Sequence, residues 1–75
     1  MQTKSKVTRT EVFHRAAGDV AVRVIHAVPA GKLVCEFEVE GEIEGNEIRI
    51  GVEPSQARAI DAAIAWLENE TKGQP

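Results

Sequence analysis

The chain has one cysteine, no tyrosine, three aromatic residues and no apolar run of membrane-spanning length in its 75 residues. Each scarcity excludes something. Cys35 has no partner cysteine, so no disulfide can form within the chain, and the pattern fits a reducing compartment and a cytoplasmic protein. Its place in an alternating apolar pattern predicts a packed thiol rather than a reactive one. A bilayer span needs about 20 apolar residues in a row, and the polar start MQTKSK lacks the apolar region of a secretory leader, so no membrane association is expected. None of the glycines forms a phosphate-binding loop. Ser5 and Ser55 have no histidine neighbour in sequence, so nucleophilic catalysis finds no support and no enzyme is expected. His14, His26 and Cys35 are the only soft-ligand set. Zinc needs three or four ligands, and packed histidines are the expectation instead, with no metal or other cofactor.

Charge is plentiful but unevenly placed. The net charge is −3. Residues 1–32 hold Lys4, Lys6, Arg9, Arg15, Arg23 and Lys32 against Glu11 and Asp19, whereas residues 33–75 hold Arg49, Arg58 and Lys72 against ten acids. A basic half joined to an acidic half predicts strands of opposite sign pairing side by side. A chain this short buries roughly 60% of the surface its unfolded form exposes, so one domain is expected over residues 1–75, with 1–5 and 72–75 frayed.

The strongest pattern runs from Leu33 to Val52. Leu33, Cys35, Phe37, Val39 and Ile43 share one parity, and Glu36, Glu38, Glu40, Glu42 and Glu44 share the other. A period of two is the strand period and gives one apolar face and one carboxylate face. Carboxylates two apart on a strand point in parallel rather than converging, so a solvated or arginine-paired face is expected, not a cation site. Lys6–Arg15 and Val20–Val28 read as two earlier strands, joined by the turn Ala16-Ala17-Gly18-Asp19 and followed by Pro29-Ala30-Gly31-Lys32. Val12 and Phe13 compete for the core side of the first strand. The second and third strands are expected to place Val24 opposite Phe37, Val22 opposite Val39, His26 opposite Cys35 and Arg23 opposite Glu38. A Gly45-Asn46 turn predicts Ile43 opposite Ile48 and Glu42 opposite Arg49. Ile48, Ile50 and Val52 then face the core, and Gly41 opposite Ile50 leaves room for a helix side chain or a bulge.

Pro54 is expected to open a helix as its first residue, with the helix ending near Thr71. Ala57, Ile60, Ile64 and Leu67 form the expected core stripe, with Ala63 beside it. Ala59, Ala62 and Trp66 widen the apolar arc to roughly 220° at about 100° per residue, more than docking on one surface uses. The fold class is therefore α+β: a four-stranded antiparallel meander in the order 1-2-3-4, followed by one C-terminal helix on its apolar face.

Four antiparallel strands leading into the segment IRIGVEPSQARAIDAAI resemble the PC4-like single-strand-binding coactivators in element order and at the strand-to-helix joint. The resemblance implies a helix-mediated dimer and a nucleic-acid-binding surface, although such surfaces use a positive groove and aromatic platforms. Nucleic acid is expected to be a less favoured partner here, with the basic N-terminal arm as a candidate phosphate contact. The leading expectation is a small non-enzymatic oligomerising or partner-binding protein. Its homodimer interface would comprise Ala59, Ala62 and Trp66 on the helix flank and Ile25, Ala27 and Val34 on the outer sheet face. Ile60, Ile64 and Leu67 would pack on the chain's own sheet while Trp66 crosses to the partner. A small-ligand cleft lined by Trp66, Phe37 and Glu40 or Glu53 is a further expectation.

Overall fold

A computed structural model describes residues 7–29 and 35–72 of the chain. Strands β1 (Val7–Ala17), β2 (Val20–Pro29), β3 (Glu36–Ile43) and β4 (Asn46–Glu53) form one antiparallel sheet in the order β1-β2-β3-β4, and helix α1 (Gln56–Lys72) packs chiefly on β2 and β3. This is the meander-plus-helix expected from the alternating patterns.

Each of the two described turns is set by positive backbone φ. Gly18 has a φ of 63° at the first position of the Gly18-Asp19 turn, the pattern of a type II′ hairpin. The second turn is Glu44-Gly45, with φ of 51° and 86°, rather than Gly45-Asn46. Two consecutive positive values are the type I′ pattern, whose twist matches that of the flanking strands. A glutamate is costly in this conformation. The Glu44 amide donates to the Asp19 carbonyl at 2.9 Å, which ties the two turns together and helps hold it.

Pairing differs from the sequence expectation in register but not in face between β2 and β3. Val24 lies opposite Val39, Val22 opposite Gly41, His26 opposite Phe37 and Arg23 opposite Glu40. This is a slip of two residues, which preserves every side-chain face. The turn expected at Pro29-Ala30-Gly31-Lys32 runs into residues 30–34, which lie outside the described residues; β3 begins at Glu36. Between β3 and β4, Ile43 faces Asn46, Gly41 faces Ile48, Glu42 faces Glu47 and Glu40 faces Arg49. The register then shifts between Glu40↔Arg49 and Val39↔Gly51, leaving Ile50 as an extra residue on β4. Such a bulge reverses the alternation beyond it. Val52 is consequently opposite Glu38 on the carboxylate face and 44% exposed, not on the core side. A similar irregularity at Val12 resolves the competition on β1. Phe13 sits opposite Val24, and both Val12 and Phe13 pack against the core.

α1 opens at Gln56 rather than at Pro54, and Ser55 caps it. Its Oγ accepts a hydrogen bond from the Arg58 amide at 3.2 Å, satisfying one of the donors the first turn leaves open. The helix is rotated from the expected stripe. Ala59, Ala63 and Leu67 are buried, one above another at spacings of four, while Ala57 is exposed and Ile60 and Ile64 are half-buried. Small residues at 59 and 63 let the helix backbone approach the valines beneath. The core is Val20, Val22, Val24, Val39, Ala59, Ala63 and Leu67, flanked by Phe37, Ile43, Ile50, Ile60, Ala62 and Trp66 among others.

Candidate interaction surface

One close contact accompanies this rotation of the helix. Trp66 lies over Gly41 of β3, and a Cβ built on that glycine would stand 2.5 Å from Trp66 Cη2. The indole occupies the space that any other residue at 41 would fill. Trp66 thus packs on its own sheet, which does not fit a tryptophan that crosses to a second chain. Ala59 is fully buried and Ala62 is half-buried beside it, in contact with the core. Of the outer-face residues expected to form a patch, Ile25 and Ala27 are 8% and 2% exposed, and Val34 lies outside the described residues.

Ile25 and Ala27 are on the face that α1 does not cover. Arg9 on β1 is opposite Ala27 on β2, yet its guanidinium reaches Glu38 and Glu40 on β3 at 2.5 and 3.1 Å. The arginine stem must cross β2 to do so, over Ile25 and Ala27, and long charged side chains cover apolar surface in this way. Arg23 continues the network, reaching Glu40 at 3.1 Å and Glu47 on β4 at 3.2 Å. All four strands are laced together by two arginines and three glutamates. Desolvation pulls both guanidinium pKa values down, but hydrogen bonds and charge from Glu38 and Glu40 at Arg9, and from Glu47 and Glu40 at Arg23, outweigh it and raise them. Both arginines are therefore charged at any physiological pH.

The soft-ligand set does not assemble. His26 stacks on Phe37 with ring centroids 4.7 Å apart, on the helix side, whereas His14 lies opposite Arg23 on the other face. Among the described residues no group of three or more histidines, cysteines and carboxylates is placed to hold a metal ion. Of the residues expected to line a ligand cleft, Glu40 lies on the sheet face away from Trp66, whereas Glu53 stands opposite Phe37 on the face of the helix. A shallow cleft of about 400 Å³ lies instead at the turn end, lined by Gly18, Asp19, Val20, Ile43, Glu44 and Thr71. Its only charged side chains are two exposed carboxylates, so it presents no convergent polar site.

What remains is the β4 edge, which sequence reasoning assigned to the core. Ile48 and Val52 are the large apolar residues left exposed among those described, at 37% and 44%, and both are on β4. Ile48 stands on the helix-covered face beside Glu47 and Arg49 on the other. Arg49 faces Glu40, but the Glu40 carboxylate is taken by Arg9 and Arg23, and Arg49 makes no ion pair with a described residue. The signal for this site was available in the meander order itself, since the last strand of a meander is an edge with free backbone donors and acceptors.

No family model matches the chain, and neither a curated protein nor a solved structure matches it. No helix among the described residues is long and apolar enough to cross a membrane.

Proposed function

We propose that this chain is a small non-enzymatic protein that works by oligomerising, its simplest form being a homodimer. The observation that carries this reading is the confinement of exposed large apolar side chains to one free sheet edge, Ile48 and Val52 on β4. The two lie on opposite faces of β4 and so flank its free edge from both sides, and an unpaired edge strand is a template for pairing with another chain. The expected helix flank supports the reading less well, because Trp66 and Ala59 are already used within the chain. Arg9 and Arg23 are likewise engaged by glutamates, which favours assembly over binding of a phosphate backbone on that face. The single cysteine is consistent with work in the cytoplasm.

Light scattering across a range of concentrations tests the proposal. A mass of twice the monomer or more, falling on dilution, is the expected result. A monomer at every concentration overturns it.

A further inference from the structure

We infer that β4 pairs antiparallel with β4 of a second copy, about a twofold axis through Ile48, to make one continuous eight-stranded sheet. The inference rests on the oligomerising reading above and specifies where and how it happens.

The register follows from the strand itself. Asn46–Arg49 is regularly paired with β3, and the bulge at Ile50 ends that regular stretch. A twofold antiparallel pairing keeps side chains on their faces only if a residue, not a bond, lies on the axis. Centring on Glu47 sets glutamate against glutamate, and centring on Arg49 sets arginine against arginine. Centring on Ile48 sets each Glu47 against Arg49 of the other copy, twice, and like charges opposite one another are avoided. The same register places the two exposed Ile48 side chains against each other on the helix-covered face.

Backbone geometry agrees. Ile43 and Asn46 close a two-residue turn and so form a hydrogen-bonded pair, and the alternation of antiparallel ladders then aims the N–H and C=O groups of Glu47 and Arg49 outward. These are the residues that must exchange hydrogen bonds in the Ile48-centred register. Ile48 itself falls at a non-hydrogen-bonded position, where side chains approach most closely. Charges on an edge strand ordinarily discourage pairing. Here they alternate in sign, so self-pairing gives Arg49 a carboxylate partner; Glu47 meets Arg23 through Oε2 at 3.2 Å, and its side chain is 70% exposed, which leaves room for a second guanidinium. β1, the other edge, is less suited. Its Arg9 is held by Glu38 and Glu40, and none of its described side chains is an exposed large apolar residue.

The test uses the whole chain. Glu47→Arg and Arg49→Glu each turn both cross-copy pairs into like-charge pairs and should raise the dimer dissociation constant by about tenfold or more. An equimolar mixture of the two variants restores both attractive pairs and should recover a mixed dimer of wild-type stability, which variants that had merely failed to fold could not do. Independently, Ile48→Cys in a Cys35→Ser background should oxidise to a covalent dimer, since Cα atoms about 4.5 Å apart at such a position suit a disulfide. Val52→Cys in the same background should not. If the wild type dimerises but the single variants keep its affinity and Ile48→Cys fails to cross-link, pairing through β4 is overturned while oligomerisation stands. A wild-type monomer at every concentration overturns both.

Discussion

On the helix-covered face Val22, Val24 and Val39 lose nearly all their exposure beneath α1, whereas on the opposite face Ile25 and Ala27 lose almost as much with no helix of the described residues above them. The first face is close-packed under α1, and its fit depends on shape: small Ala59 and Ala63 admit the valines, and absent atoms at Gly41 admit Trp66. The second is covered by charged side chains whose stems lie flat and whose ends pair, Arg9 and Arg23 with Glu38, Glu40 and Glu47. One alternating sequence can therefore bury both sides of a sheet with a described helix over only one of them. The faces should differ in how they fail. A close-packed face loses stability when volume changes. A charged cover half open to water loses little when charge alone is removed.

Breaking the packed face gives the largest expected effects. Leu67→Ala should lower unfolding free energy by about 3 kcal/mol, because a 5% exposed leucine leaves a cavity between α1 and the sheet. Urea titration reads it. Gly41→Ala should cost about 1–3 kcal/mol, because the new methyl lies where the Trp66 ring is and the core resists its displacement. Combining it with Trp66→Leu sharpens the point. In that background the alanine should cost markedly less, and additive losses would show that the indole is not the obstacle.

Smaller effects follow at the helix end and on the charged face. Ser55→Ala should cost about 1 kcal/mol by leaving the Arg58 amide without its acceptor, measured by thermal unfolding. Arg9→Ala should cost at most about 1 kcal/mol, and Arg9→Met less than half as much, because methionine keeps an apolar stem over Ile25 and Ala27. Equal losses from the two would assign the cover of this face to the ion pairs rather than to the stem.

Much of the fold was legible in the chain because strand alternation is a local signal. The period of two from Phe37 to Ile43 fixed which residues face the core, and the two-residue error in β2–β3 pairing left every one of those faces intact. The vacancy at Gly41 was legible too, as a missing side chain on a core-facing position. The interaction surface was not, for two reasons. A bulge adds one residue without any compositional mark, so Val52 read as core although it is turned outward beyond Ile50. An apolar arc of roughly 220° on α1 does not say which part meets the sheet. The orientation found goes with Trp66 filling the space over Gly41, a contact between residues 25 positions apart.

By itself, then, the sequence determined the element order, the face each residue of β2 and β3 takes, and the opposite signs of charge that meet across β1, β2 and β3. These depend on backbone periodicity and on neighbours along the chain. Only the tertiary structure decided the register of each strand pair, the rotation of α1 and the strand left with exposed isoleucine and valine. Those depend on how volumes and charges from distant segments fit together, and a slip of two residues or a turn of the helix by one position costs the local pattern nothing.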